Sequence, residues 1–89
     1  MITLFVRHPV ADYAKWRSLY DGIGAMQKAG GVVADSVYQS IDDPNDVTVT
    51  HDFATIEAAR AFVSSPDLKA AMQKAGVSGP PTIWFTVKE

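Results

Sequence analysis

The hexapeptide AMQKAG occurs twice in this chain, at Ala25–Gly30 and at Ala71–Gly76. Each copy ends an apolar helical pattern and is followed by a strand-like segment. With Gly30 and Gly76 in the first position beyond each helix, both glycines take the left-handed conformation of a Schellman-type end, and the lysine of each copy faces the negative end of the helix dipole. The hexapeptide has no pattern that cradles phosphate or binds metal. We therefore interpret the repeat as the mark of two equivalent halves of one fold.

Four segments have the composition of β-strands, because β-branched and aromatic residues dominate them and turn-forming residues bound them. They are Ile2–His8, Val32–Ser40, Val47–Phe53 and Thr82–Val87. The sequence DDPND at Asp42–Asp46 is dense in turn formers and joins the second strand to the third.

The first helical region begins at Asp12, a suitable N-cap. Its apolar residues recur at spacings of three and four, as expected for one helical stripe: Tyr13, Trp16, Tyr20, Ile23 and Met26. Gly22 and Gly24 each weaken this helix by about 1 kcal/mol relative to alanine. They predict a kink, or a close approach of the backbone to another element.

The second helical region is predicted in two pieces. Thr55 is the N-cap of the first piece, and Ser65 with Pro66 starts the second, which runs to Ala75. The resulting order, β-α-β-β-α-β, is the ferredoxin-like plan. We expect an α+β fold of one domain, residues 1–89, in which a four-stranded antiparallel sheet carries both helical regions on one face.

Strand alternation divides the strand residues into two faces. The apolar face should meet the helices and comprises Ile2, Leu4, Val6, His8, Val33, Val37, Val47, Val49, His51, Phe53, Ile83, Phe85 and Val87. The opposite face is rich in threonine but also carries Phe5, Tyr38 and Trp84. Large aromatics on such a face predict a homodimer joined sheet to sheet through them. The alternative is that they are scattered, exposed and without a partner.

Composition excludes several classes of function. The net charge is −2 and the basic residues form no run, so nothing favours nucleic acid as a partner. The chain has no cysteine, which excludes disulfides, thiolate metal sites and thiol nucleophiles. Its apolar runs are too short to span a membrane, and its first residues do not resemble a signal peptide. We expect a cytoplasmic protein.

His8 and His51 are the only histidines. In the predicted sheet they lie on neighbouring antiparallel strands about three residues, or roughly 10 Å, apart. That separation is too long for a shared metal or proton, and no carboxylate cluster completes a metal site, so no metal is expected. Each histidine is either a core residue bonded to a nearby polar group or an acid–base group in a pocket. The stripe Tyr13, Trp16, Tyr20 is likewise either core or a substrate platform.

Two stretches carry a resemblance to a known family: HPVADYAKWRSLYD (His8–Asp21) and VTVTHDFATIEAARAFVSSPDLKAAMQKAGVSGPPTIWF (Val47–Phe85). The motif of Asp-Tyr followed two residues later by Trp, and the motif of Asp-Phe-Ala-Thr followed by Ser-Pro-Asp-Leu, are similar to the antibiotic-biosynthesis-monooxygenase-like (ABM) proteins. The resemblance implies a dimeric α+β barrel, with one pocket per subunit between sheet and helices.

The same resemblance implies a choice of chemistry. The family includes cofactor-independent monooxygenases that oxidise polyketide-like aromatics, and relatives that degrade haem with a histidine late in the second helical region. Leu68–Ala75 has no histidine, which argues against haem. We expect no cofactor. The only asparagine, Asn45, lies in a turn, and no residue set matches a family catalytic motif.

Two hypotheses follow. In the first, the protein is a cofactor-free monooxygenase or cyclase acting on a small aromatic or polyketide-like molecule. His51 or His8 then handles protons, and Tyr13, Trp16, Phe62 and Phe53 bind the substrate. In the second, it is a dimeric small-molecule binding or accessory protein without chemistry.

Overall fold

A computed structural model describes residues 1–89. It contains β1 (Ile2–Pro9), α1 (Tyr13–Asp21), α2 (Gly24–Ala29), β2 (Val32–Gln39), β3 (Asp46–Phe53), α3 (Ile56–Val63), α4 (Pro66–Lys74) and β4 (Thr82–Val87). The predicted element order is confirmed. Both helical regions are divided, the first at Gly22, where the kink was expected. None of the helices has the length and apolar character needed to cross a membrane.

The four strands form one antiparallel sheet in the order β2-β3-β1-β4. This is the strand order of the ferredoxin-like plan, so the predicted α+β fold is confirmed. In the β1–β3 pairing, Leu4 lies opposite His51 and His8 lies opposite Val47. The two histidines therefore stand four residues apart along the sheet, about 13 Å at the rise of a strand.

The helix starts follow the sequence closely. The side chains of Asp12, Thr55 and Ser65 accept hydrogen bonds from backbone N–H groups in the first turns of α1, α3 and α4. Each bond satisfies one of the donors that a helix leaves unpaired at its beginning. Asn45 has a related task, because its Oδ1 accepts a bond of 3.1 Å from the N–H of Tyr13 and so ties the β2–β3 turn to the start of α1.

The two AMQKAG copies end their helices differently. In the second, Gly76 has φ of 82°, and the N–H of Val77 donates to the carbonyl of Met72, as a Schellman end requires. In the first, Gly30 keeps a right-handed φ of −80° and Gly31 takes the left-handed one, at 93°. The prediction for Gly30 was therefore wrong by one residue. A Cβ on Gly30 would lie 2.7 Å from Cδ1 of Phe62, so packing, not backbone conformation, requires glycine there.

The helix-facing side of the sheet agrees with the predicted alternation in β1 and β3 but not throughout β2. Leu4, Val47 and Phe53 are fully buried on this side. An irregularity between Val32 and Ala34 shifts the β2 register, and Val33, predicted to face the helices, is 59% exposed. Asp35 instead takes a position opposite His51. At the other edge Ile83 and Val87 of β4 remain exposed.

Candidate functional site

A cavity lies between the helices and the sheet. It has a volume of about 70 Å³, and fourteen of its sixteen lining residues are hydrophobic. The other two are His8 and His51. Trp16 and Tyr20 of α1, Phe62 of α3, and Met72 of α4 supply part of the apolar wall. The cavity thus combines aromatic surface with two titratable groups, the usual composition of a small-molecule site.

The α1 side of the cavity is an aromatic stripe set by helical spacing. Trp16 stacks on Tyr20 with ring centroids 4.9 Å apart, and Tyr13 lies 5.9 Å from Trp16. Trp16 also meets His8 of β1 edge to face at 5.6 Å. Tyr13 does not line the cavity itself. It packs against the core cluster that contains Trp16, and so supports the wall from outside.

The α3 side continues the aromatic surface. The ring centroid of Phe62 lies 5.3 Å from that of His51 and 5.5 Å from that of Phe53. Phe53 is fully buried and lies outside the cavity lining, behind Phe62. Of the four residues predicted to bind substrate, Trp16 and Phe62 therefore contact the cavity, whereas Tyr13 and Phe53 support it.

His8 is the more isolated histidine. It is 4% exposed, and burial lowers its pKa, although the backbone carbonyls of His8 and Pro9 and the charge of Asp46 act in the opposite direction. Its Nδ1 is buried and has no hydrogen-bond partner. His8 therefore favours the neutral form, with one ring nitrogen unsatisfied.

His51 belongs to a polar network. It is 5% exposed, and burial lowers its pKa against the opposing charges of Asp35 and Asp52. Its Nε2 lies 3.3 Å from the hydroxyl oxygen of Tyr20 and 3.3 Å from the amide nitrogen of Gln27. Its Nδ1 is buried without a partner. Buried polar atoms in native structures are rarely left unpaired, so the unpartnered nitrogen marks His51 as a candidate functional residue of the cavity.

Tyr20 links this network to β2. Its hydroxyl donates to Oδ2 of Asp35 at 2.6 Å, a short bond of the charge-assisted kind. Burial, and next the bond to Asp35, raise the pKa of Tyr20, so the phenol keeps its proton. The rings of Tyr20 and Phe62 therefore flank His51, whereas Trp16 lies against His8.

Two members of the network, Gln27 and Asp35, were not predicted from the sequence. Gln27 lies inside the first AMQKAG copy, to which no chemistry was assigned, and it is buried. It lies seven residues after Tyr20, and this spacing predicts that both side chains lie on the same apolar face of the helical region. Gln73, the equivalent residue of the second copy, is exposed. Asp35 stands on the helix-facing side by simple alternation from Val37, and an acidic residue at such a position is the signal that could have identified it.

The structure brings together no group of three histidine, cysteine, aspartate or glutamate side chains that could hold a metal ion.

The opposite face of the sheet carries the three aromatics predicted to lie at an interface. Phe5 and Trp84 stack with centroids 5.2 Å apart and an interplanar angle of 5°. Trp84 is 41% exposed and Tyr38 is 55% exposed. On the same face the hydroxyl of Thr3 donates to Asp52 at 2.6 Å.

Comparison of the sequence with protein families finds one match. The model of the family described as antibiotic biosynthesis monooxygenase matches residues 11–74, which include all four helices and the strands β2 and β3. A comparison with curated proteins finds no significant match.

Solved structures with this fold are numerous. A proposed antibiotic biosynthesis monooxygenase from Bordetella bronchiseptica superposes with a TM-score of 0.85 at 17% identity, over 99% of this chain and 96% of that one. A variant of SnoaB, a cofactor-independent oxygenase from Streptomyces nogalater, gives 0.78 at 15% identity, over 98% and 91%. A conserved protein from Methanosarcina mazei Go1 gives 0.77 at 16% identity, over 99% and 92%. At these identities the likeness establishes the fold alone.

Proposed function

This chain belongs to the antibiotic biosynthesis monooxygenase family, and we propose that it is a cofactor-independent monooxygenase acting on a small aromatic or polyketide-like molecule. The substrate binds in the cavity between the helices and the sheet. The observation that carries this proposal is the presence of two buried histidines, each with an unpartnered Nδ1, in a cavity that is otherwise apolar.

His51 is the proposed general base. Because burial lowers its pKa, it is neutral near pH 7 and able to accept a proton. Tyr20 and Gln27 contact its Nε2, so Nδ1, which is buried and unpartnered in the ligand-free protein, is the nitrogen proposed to accept the proton of the substrate. His8, at the other end of the cavity, is the proposed second polar contact. Trp16 and Phe62 are the proposed aromatic walls, with Tyr13 and Phe53 packed behind them.

The chemistry needs no electrons from a cofactor if the substrate has an acidic methylene, as in an anthrone. The base removes one C–H proton, and the carbanion reduces O₂ and combines with it to give a peroxide. The proton returns to the distal peroxide oxygen, and loss of water then converts the carbon to a ketone. In sum R₂CH₂ and O₂ give R₂C=O and H₂O, so the substrate supplies all the electrons.

A second candidate function is supported by the size of the cavity. At about 70 Å³ it is smaller than the roughly 300–1,000 Å³ of sites for drug-sized ligands. A polycyclic substrate would have to displace part of the wall. A non-catalytic protein that binds a smaller molecule in this cavity fits the present volume better.

The proposed assembly is a homodimer joined through the open face of the sheet. Phe5, Tyr38 and Trp84 supply exposed aromatic surface there, and burial of such surface is the main source of affinity in protein interfaces. This arrangement leaves the helix-covered cavity of each subunit on the outer side of the dimer.

The test measures oxygen consumption by the purified protein with a panel of anthrones and hydroquinones, alongside ligand binding by calorimetry. Removal of a general base costs about 10²- to 10⁴-fold in rate, so His51→Gln should abolish turnover while retaining binding, and His8→Gln should mainly weaken binding. Binding without oxygen uptake would select the non-catalytic function. Neither binding nor uptake across the panel would overturn both.

A further inference from the structure

Asp35 and His51 face each other across β2 and β3, and Tyr20 of α1 bridges them. Asp35 lies opposite His51 by regular pairing from Val37, beyond the irregularity between Val32 and Ala34. Tyr20 then places its hydroxyl 2.6 Å from Oδ2 of Asp35 and 3.3 Å from Nε2 of His51. An aspartate, a phenol and a buried imidazole therefore form one chain of contacts.

The hydrogen-bond donors among Asp35, Tyr20 and His51 can be counted. A phenol has one O–H donor, and an ionised carboxylate can only accept. The short bond between Tyr20 and Asp35 therefore uses the only proton of the phenol. The phenol oxygen is left as an acceptor toward His51, and it is satisfied if Nε2 of the imidazole carries a proton.

We infer that Asp35 and Tyr20 are positioning residues that hold His51 in the tautomer with its proton on Nε2, so that the buried, unpartnered Nδ1 is the basic nitrogen of the ring. Only the role of Nδ1 as the base that takes a proton from the substrate rests on the proposed function. It adds to that function the identity of the basic atom and the two residues that select it.

Gln27 is the competing neighbour. Its amide nitrogen faces Nε2 of His51 at 3.3 Å and, in that orientation, would donate to a deprotonated Nε2. The bond between Tyr20 and Asp35 is the stronger influence, because hydrogen bonds to an ionised group are roughly twice as strong as neutral ones. Gln27 is compatible with a proton on Nε2. Rotation of its side-chain amide by half a turn brings the oxygen, an acceptor, to face Nε2, and the two orientations have nearly the same shape.

The charges around His51 are few. Asp35 on β2 and Asp52 on the far face of β3 both act to raise its pKa. On α1, Arg17 lies 5.6 Å from the centroid of the Tyr20 ring. The remaining neighbours, Gln27 of α2, Phe62 of α3 and Leu4 of β1, carry no charge.

The test is nitrogen NMR of the histidine rings in the ligand-free protein, which distinguishes the two neutral tautomers directly. Wild type should have the Nε2–H form of His51. Tyr20→Phe removes the acceptor, so Gln27 should then donate to Nε2 and shift the tautomer ratio toward Nδ1–H by about tenfold, the effect of one typical hydrogen bond. Asp35→Asn should shift it in the same direction and lower the pKa of His51, because it removes a charge that raises that pKa.

Asp52→Asn is the matched control. It removes the other carboxylate that acts on His51 but has no contact with Tyr20, so the pKa should fall while the tautomer stays the same. His8 serves as an internal reference in every spectrum. A wild-type Nδ1–H form, or an unchanged ratio in the folded Tyr20→Phe or Asp35→Asn protein, would overturn the inference. Since no substrate is involved, an Nε2–H form that responds as expected in a protein without oxygen uptake would remove only the proposed function.

Discussion

The ring of Phe62 occupies the space that a side chain at Gly30 would need, with Cδ1 only 2.7 Å from the position of a Cβ. The end of α2 and the wall of the cavity are therefore one structural unit. The same ring contacts His51 and Phe53, so the seating of α2 fixes the aromatic surface beside the proposed base.

Gly30→Ala is expected to destabilise the protein. The added methyl group collides with a buried ring, and overpacking of this kind typically costs about 1–3 kcal/mol. Gly24→Ala is the matched control, because no atom lies within 4 Å of a Cβ there and alanine is favoured over glycine in helices by about 1 kcal/mol. Urea denaturation of both variants measures the difference. Equal stability of Gly30→Ala and wild type would contradict the packing seen around Phe62.

Acidification should destabilise the fold through the histidines. Burial lowers the pKa of His8 and of His51 in the folded protein, below the ordinary value of 6.5. As the pH falls through 6.5 the unfolded chain takes up protons that the folded chain does not, so stability decreases until the pH reaches the folded-state pKa values. The midpoint of thermal unfolding should therefore fall between about pH 7 and 5.

The His51→Gln variant provides the check on that pH effect. It lacks one of the two responsible groups, so its unfolding midpoint should depend less steeply on pH over the same window. Asp46, whose pKa is lowered by Arg7, contributes only in a separate window below its ordinary value of 3.8. A wild-type midpoint that is constant from neutral pH to pH 5 would mean that the histidines are not shifted by burial.

The assembly is tested with a charge on the open face. Trp84→Glu places a carboxylate within the aromatic cluster and should convert a dimer to monomers at micromolar concentration, as measured by sedimentation. Ile41→Glu is the control, because Ile41 is fully exposed in the β2–β3 turn and lies outside the aromatic face. A wild-type protein that sediments as a monomer would refute the proposed dimer.

The cavity is tested by filling it. Ala71 of α4 lines the cavity, whereas its neighbour Ala70 is exposed. Ala71→Leu should reduce ligand affinity by about tenfold or more, the equivalent of about 1.4 kcal/mol, without loss of thermal stability, since the new side chain enters existing space. Ala70→Leu should leave binding unchanged. Equal affinity in the two variants would place the ligand elsewhere.

Local sequence patterns were sufficient for most of the architecture. Asp12, Thr55 and Ser65 cap helices as predicted because capping involves residues only three positions apart. Strand alternation placed both histidines on the helix-facing side because β1 and β3 are regular. Where the chain departs from regular geometry, as at the β2 irregularity beside Val33, alternation failed.

The sequence by itself determined the order of elements, the fold and an apolar face that contains two histidines, since these depend on periodicity and short-range hydrogen bonds. Tertiary structure decided the rest. Gly30 is glycine because of a ring 32 residues away in the sequence. Gln27, Tyr20 and Asp35 meet around His51 because α1, α2, β2 and β3 converge there. Contacts between distant segments depend on how helices and strands pack in three dimensions, and the spacing of residues along the sequence does not specify that packing.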